Sequence, residues 1–352
     1  MTPETRRALF LPLLLATSAS AGSATGDRID KYQLVATLGE GAMGRVYLAV
    51  QTEPVERQDA LKVIREEVAD PEQRRQFQRE AQALALANHD HIARLFEAGT
   101  SASGEDWFAM EYVAGEGLLA YCDRRQLGVA ERIELVAQVC DAVDHLHSLG
   151  IHHQDIKADN VLVVERNGKA VPKLVDLGLA RFARGSDHDD VTRGTPSHMA
   201  PEQFVLPPEA VDGRADVHAL GVMLYEVLIG RLPFTPIDWT APGTPQRGIS
   251  REPLSPSERL RAAGDEALAI AAARGTGVRD LTRSLRRGLD AIAKRAVAVD
   301  RADRTTSPGQ LARDLRGHLG AVEEGRRRWR TGLVAAITAA LAALSTAALA
   351  AI

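Results

Sequence analysis

The chain changes its hydrophobic period once for good, and that switch constrains its fold more than any other feature. Residues 32–64 hold three β-leaning runs, YQLVATLG, GRVYLAV and DALKVI, separated by Gly-rich or polar turns. Helical spacing then appears at 71–87, with Phe77, Ala81, Leu84 and Ala85 on one face and charges on the other. The runs HIARLFEAG and WFAMEYV return to strand. From about residue 117 onward the pattern is helical: ERIELVAQVCDAVDHLHSLG is amphipathic, and ADVHALGVMLYEVLIG is apolar enough to lie inside a core. Strands followed by helices predict an α+β chain with a small β-rich lobe before a large helical one. Six prolines between Leu232 and Ser257 predict an irregular surface insert in the second lobe. With 352 residues and 45% apolar content, a sizeable core is within reach.

Between the apolar runs HLHSLGI and VLVV, the stretch HHQDIKADN (152–160) gathers two histidines, two aspartates, a lysine and an asparagine. Alone it reads as a polar loop joining helix to strand. Three other stretches shift that reading. GEGAMGRV (39–46) sets Gly39, Gly41 and Gly44 at G-x-G-x-x-G spacing, and glycine lets backbone amides approach phosphate oxygens where a Cβ would intrude. This motif lies between two strands rather than between strand and helix, which disfavours a dinucleotide-binding reading. Lys62 sits on a predicted strand among apolar neighbours, where an ammonium is costly unless paired. Glu80, on the following helix, is its natural partner, and a phosphate would be the second. In VDLG (175–178), Asp176 follows the strand-like PKLV, and Asp176 and Asn160 both offer the oxygen ligands that a hard ion such as Mg2+ requires. Asp155 is the remaining carboxylate, five residues before Asn160.

Taken in order, these stretches resemble the signatures of a protein kinase, most closely the bacterial eukaryotic-like serine/threonine kinases. The Gly-rich loop, strand lysine and helix glutamate are followed by H-x-D-x-x-x-x-N at 153–160, D-x-G at 176–178 and A-P-E at 200–202. The likeness extends over residues 32–318. It implies a bilobal protein kinase fold, with a β-rich N-lobe at 32–113 and a helical C-lobe at 114–318 that includes the insert at 232–257. It also implies transfer of the ATP γ-phosphate to Ser/Thr hydroxyls of protein substrates, with Mg2+ as cofactor and a chemistry of positioning and charge neutralisation.

By resemblance, Leu38, Gly39, Glu40, Gly41, Ala42, Met43, Gly44, Arg45 and Val46 cover ATP, with Leu38 and Val46 against the adenine or ribose. Lys62 holds the α- and β-phosphates, and Glu80 holds Lys62. Glu111 to Val113 resembles the hinge whose backbone reads the adenine edge, with Met110 at the back of that pocket. Asp155 accepts the substrate hydroxyl's proton, Lys157 steadies the γ-phosphate, and Asn160 and Asp176 bind Mg2+. Lys157 and the Thr195 of GTPSHMAPEQ match the serine/threonine branch. Glu202 and Arg304 resemble a buried ion pair bracing the large lobe, Asp216 resembles the aspartate that supports the catalytic loop, and His153 is expected to be a packing residue. Two positions depart from the pattern. Leu177 replaces the phenylalanine of D-F-G, an apolar exchange of little consequence. Gln154 replaces the arginine of H-R-D, and a neutral side chain cannot pair with a phosphate on the activation segment.

A net charge of -4 argues against a general nucleic-acid binder. Cys122 and Cys140 form no metal or disulfide framework, which fits a reducing compartment. Residues 1–31 form an N-terminal tail whose first 26 residues mimic a secretory signal; the ATP requirement favours a flexible tail instead. Residues 332–352 carry no charge and would span roughly 30 Å as a helix, which suits a bilayer or, alternatively, an Ala-rich core. RRRWR, in the basic linker 319–331, favours a transmembrane helix with its basic flank in the cytoplasm. The expectation is a kinase on the inner (cytoplasmic) membrane facing the cytoplasm, with a homodimer left open. A pseudokinase acting as an ATP-binding scaffold is the alternative.

Overall fold

The structure, a computed structural model, describes residues 27–41, 44–64, 81, 84–176, 195–207, 210–234, 252–325, 327 and 331. They fall into two compact units. The first takes the described residues up to Asn88 together with Ala93–Val113; the second takes His89–Ile92, those of Ala114–Gly178 and those beyond Asp189.

The first unit is a six-stranded antiparallel sheet of β1 (Arg28–Ile29), β2 (Tyr32–Gly41), β3 (Gly44–Gln51), β4 (Arg57–Ile64), β5 (Leu95–Thr100) and β6 (Asp106–Glu111), in the order β1-β2-β3-β4-β6-β5. Register sets its two faces, because side chains alternate along each strand. Tyr47 pairs with Leu61 and Leu61 with Ala109; these join Tyr32, Leu34, Ala49, Val63 and Trp107 in one buried cluster. Tyr32 and Trp107 meet edge to face at 5.2 Å. One position along, Val46 pairs with Lys62 and Lys62 with Phe108, so Lys62 shares the opposite face with them. The hairpin between β2 and β3 depends on Gly44: with φ at 151°, a Cβ there would stand 2.0 Å from the Val63 carbonyl oxygen. Of the helix expected at 71–87, Ala81, Leu84 and Ala85 are described as helical, and Ala85 is exposed while Ala87 is buried.

The second unit pairs a small sheet with helices. β7 (Glu116–Gly117), β8 (Val161–Arg166) and β9 (Lys169–Leu174) lie in that order, and Asn167-Gly168 turns β8 into β9 with φ of 52° and 73°, the positive pair a tight hairpin wants. The helices are α1 (Leu118–Arg124), α2 (Val129–Ser148), α3 (Arg214–Ile229), α4 (Pro256–Arg261), α5 (Glu266–Ala272), α6 (Val278–Ser284) and α7 (Asp290–Ala296); residues 308–325 are also helical. Every residue of α3 except Arg214 and Glu226 is buried, which is why its sequence is apolar all round.

Helix ends buried together leave carbonyls without partners. Here two buried guanidiniums receive them. Arg132 donates to Cys122, Val227 and Ala273 carbonyls, and Arg274 to those of Glu226, Val227 and Leu228. Burial, with Arg132 alongside, pushes the Arg274 guanidinium down to about 10. Within the stretch 232–257, Phe234 is buried, and Ser255 caps α4, which Pro256 opens. Regular structure therefore resumes before Ser257, because proline suits the first turn of a helix, where its missing N–H is not needed.

Candidate active site

The loop 152–160 runs from α2 to β8 and is held from below by one carboxylate. Asp216, fully buried in the first turn of α3, accepts hydrogen bonds from the backbone amides of His153 (2.8 Å) and Gln154 (2.7 Å) and from His147 Nε2 (2.8 Å). Burial alone would raise the Asp216 carboxyl; the His147 hydrogen bond, the charges of His147 and His153 and the Gln154 amide hold it below its ordinary value. Gln154 is left-handed, with φ at 61°. A non-glycine residue held there stores strain of about 1–3 kcal/mol, which persists only where the surroundings over-determine it. The two amide bonds to Asp216 supply that constraint.

Asp155 stands directly after the strained residue. Its Oδ1 accepts from Thr195 N (3.0 Å) and Thr195 Oγ1 (3.1 Å), and Lys157 Nζ lies 3.5 Å from Oδ2 and 3.0 Å from Thr195 Oγ1. Asn160, 7% exposed, donates through Nδ2 to the Asp155 carbonyl at 2.8 Å, with Oδ2 farther off at 3.4 Å. Val175 N donates to Asn160 O at 2.8 Å, and this bond sets Asp176, itself left-handed at φ 58°, next to the loop. Asp155, Lys157, Asn160 and Thr195 are thus brought into direct contact, with Asp176 tied to them through its neighbour. His153 is buried, and burial lowers its imidazole pKa; its Nε2 has no hydrogen-bond partner among the described residues. These are the properties of a packing residue.

Thr195 is placed by a 3-10 turn, Pro196–His198, closed by His198 N to Thr195 O at 2.8 Å. The buried His198 fastens that turn to α3: Nε2 meets Glu226 Oε2 at 3.0 Å, and Nδ1 meets Ser197 Oγ at 3.1 Å. Glu202 and Arg304 form a buried bidentate pair at 2.6 and 3.0 Å, and Arg304 also donates to the Ala298 and Arg214 carbonyls. His147, His198 and Glu226 were not singled out in the sequence. The one local signal for His147 is its place in HLH near the end of an amphipathic helix; His198 and Glu226 meet 28 residues apart, beyond any local pattern.

In the first unit, Lys62 is 4% exposed on the face it shares with Val46 and Phe108, so an ammonium stands in a largely apolar setting. Glu80, its expected partner, lies outside the described residues, as do Ala42, Met43 and Leu177. A Cβ at Gly39 would meet no atom within 4 Å, in contrast to Gly44. Glu40 and Arg45 are cross-strand neighbours and form an exposed ion pair at 3.3 Å. Leu38 is 45% exposed, large for a leucine on a strand. Met110 and Val113 are buried, and Glu111 donates its amide to the Arg94 carbonyl at 2.8 Å.

Among the described residues no group of three or more His, Cys, Asp or Glu side chains forms a metal cluster. Mg2+ does not need one, since it keeps several waters and takes one or two carboxylates plus substrate phosphates. The donors present fit it: Asp176 supplies a carboxylate, and Asn160, with its Nδ2 committed to the Asp155 carbonyl, keeps an amide oxygen for a cation.

Residues 32–246 match the protein-family model described as Protein kinase domain. Serine/threonine-protein kinase Pkn1 of Myxococcus xanthus is 37% identical over 214 residues, 59% of this chain and 30% of that protein. Serine/threonine-protein kinase PknB of Mycobacterium leprae (strain TN) is 35% identical over 241 residues, 65% of this chain and 37% of that protein. Among solved structures, the Mycobacterium tuberculosis PknI kinase domain superposes with a TM-score of 0.58 at 29% identity, over 85% of this chain and 100% of that one. The chain spans less than half the length of the curated relatives it matches.

Proposed function

The chain belongs to the protein kinase domain family, and on that premise we propose that it is an active serine/threonine protein kinase, transferring the ATP γ-phosphate to hydroxyls of protein substrates. The observation that carries this reading is the contact set Asp155–Thr195–Lys157–Asn160. Asp155, fixed through Oδ1 by Thr195, accepts the proton of the attacking hydroxyl. Lys157 carries its positive charge beside that carboxylate and balances the phosphate under attack. Asn160 and Asp176 would hold Mg2+, which when bound would neutralise charge on the phosphate oxygens. In the first unit, Lys62 meets the α- and β-phosphates with Glu80 as its counter-charge, the loop from Leu38 to Val46 covers the nucleotide, and the backbone of Glu111 to Val113 reads the adenine edge. A pseudokinase scaffold is disfavoured because Lys62, Asp155, Asn160 and Asp176 are all present.

Membrane tethering belongs to the same proposal. Among the described residues no helix is long and apolar enough to cross a membrane, and Gly332–Ile352 lies outside them. The reading rests on the charge-free composition of 332–352 behind Arg326, Arg327, Arg328 and Arg330, which places the catalytic units on the cytoplasmic side of the inner membrane. The test is incubation of the full chain with γ-labelled ATP and a protein substrate, with and without Mg2+, followed by phosphoamino-acid analysis. Mg2+-dependent phosphoserine and phosphothreonine are expected; no label in protein, with nucleotide still bound, would favour the scaffold.

A further inference from the structure

One face of the second unit carries positive charge that the proposed phosphoryl transfer does not use. From Val278 to Ala296 the sequence holds six arginines and lysines against two aspartates, in a chain whose net charge is -4. Burial divides that segment into two sides: Leu281, Leu285, Leu289, Ala293 and Ala296 are buried, while Arg279, Arg283, Arg286, Arg287 and Lys294 are exposed. Intervals of three and four residues put Arg279, Arg283, Arg286 and Arg287 on one stripe of the helical run before Gly288, and Lys294 is exposed beyond it. Their own contacts do little to neutralise them. Arg283 pairs with Asp280 at 2.5 Å, whereas Arg279, Arg286, Arg287 and Lys294 form no ion pair among the described residues. The second aspartate, Asp290, is committed to Ser257. Arg279–Arg283 and Arg283–Arg287 are like charges at i,i+4, a spacing that weakens a helix rather than supporting it. The stripe's field reaches α4 as well: beyond hydrogen bonds from Ser255, the charges of Lys294 and Arg261 help hold the Glu258 carboxyl below its ordinary value.

The stripe is joined to the chain's later basic run. The backbone kinks at Gly288, φ 138°, where a Cβ would come within 3.2 Å of His318 Nδ1, and Arg295 pairs with Asp314. The order of these contacts runs 288 to 318 and 295 to 314, so the helix through 308–325 heads back toward the Arg279 end of the stripe. The next residues are the arginines at 326–328 and 330, then the charge-free stretch 332–352.

We propose that this stripe is a docking face for an anionic lipid surface, laid against the headgroups beside the membrane span. The proposal rests on the tethering reading for its choice of partner. A row of exposed cations, four of them without an ion pair among the described residues, with no aromatic residue between Val278 and Ala296, suits a flat field of phosphate charge, and it offers no stacking platform for nucleic-acid bases. Each basic residue near an anionic leaflet changes partitioning by about fivefold, and the effect falls away with salt.

The full chain is reconstituted into vesicles of phosphatidylcholine alone and of phosphatidylcholine with a third phosphatidylglycerol. Side-chain footprinting then follows Arg286 and Arg287 with phenylglyoxal and Lys294 with an acylating ester. Retention on the neutral vesicles reports the span by itself. The docking face predicts at least fivefold slower labelling of these three residues on the anionic vesicles, reversed by high salt. Arg279→Glu/Arg286→Glu/Arg287→Glu should restore fast labelling of Lys294 while the chain keeps its kinase rate in detergent. Equal labelling on both vesicles, with the chain retained, overturns the proposal. If the chain is not retained on neutral vesicles, the span reading fails, and salt-sensitive retention on anionic vesicles, lost in the triple variant, then tests the stripe alone. Protection by polyglutamate without protection by anionic vesicles would assign the face to an acidic polypeptide and overturn the lipid assignment.

Discussion

Replacing Asp216 with asparagine changes no atom of the reacting groups, yet it should cost both stability and turnover. The carboxylate serves three donors with two oxygens: Gln154 N on Oδ1, and His153 N with His147 Nε2 on Oδ2. Asparagine keeps one acceptor oxygen and turns an NH2 group toward the donors on the other side. At least one buried N–H then loses its partner, at about 1–3 kcal/mol, and the hydrogen bonds that remain lose the charge that strengthened them. The expected loss is about 2–4 kcal/mol, a shift of roughly 1–2 M in the urea midpoint. Gln154 is held left-handed by the same bonds, so its release should let Asp155 drift, and a displacement of about 1 Å is enough to lower kcat by on the order of 10²-fold. The pH dependence carries a sign. A carboxyl whose folded pKa is depressed stabilises above its unfolded value, about 3.9, and that contribution is lost as pH falls through the lower folded value. The stability gap between wild type and Asp216→Asn should therefore narrow below about pH 4, as the wild-type carboxyl takes up its proton. Urea titrations across that range, paired with steady-state kinetics on a peptide, read all three effects. A variant with wild-type midpoint and kcat, or a gap that widens below about pH 4, would refute the bracing role.

Other sites give independent tests. Gly44→Ala should destabilise the first unit by about 1–3 kcal/mol, because its Cβ would collide with the Val63 carbonyl; an unchanged thermal midpoint would contradict this. Arg304→Ala strands a buried carboxylate on Glu202 and should cost about 3–5 kcal/mol in urea titration, and Glu202→Ala likewise strands Arg304. His198→Phe should lower kcat with little change in the KM for ATP, while His198→Gln, which can still donate to Glu226, should recover most of it. Gln154 offers no charge to a phosphate, so activity should depend only weakly on phosphorylation of Ser186 or Thr192, which lie outside the described residues. A drop of about a hundredfold both after phosphatase treatment and in Ser186→Ala/Thr192→Ala would show that such a switch operates.

The strand block was legible because each strand alternates or runs apolar over its own few residues, and β2, β3 and β4 fall where YQLVATLG, GRVYLAV and DALKVI stand. The loop 152–160 was legible for the same reason: Asp155, Lys157 and Asn160 share one short stretch. What escaped are contacts whose partners are far apart in the chain. Arg132 looks like a solvated arginine on an amphipathic helix, yet it is fully buried, and its acceptors include Val227 and Ala273, 95 and 141 residues away. Gly44 shows a different limit. Its spacing suggested phosphate access, whereas the close β4 backbone already requires a glycine; Gly39, with open space around it, is the position where only a ligand would exclude a side chain. Ala85 matched the helical period and is nonetheless exposed, because a period fixes which residues share a face and not where that face ends.

The central claim is that Asp155, fixed by Thr195 and Asn160, acts on the substrate hydroxyl and not on the nucleotide. Single-turnover phosphoryl transfer by the full-length wild type and Asp155→Asn, at saturating ATP and Mg2+ and alongside a nucleotide-binding titration, tests it most directly. The account predicts a rate lower by on the order of 10² to 10⁴-fold with nucleotide affinity unchanged. An Asp155→Asn enzyme that transfers phosphate at half the wild-type rate would contradict it.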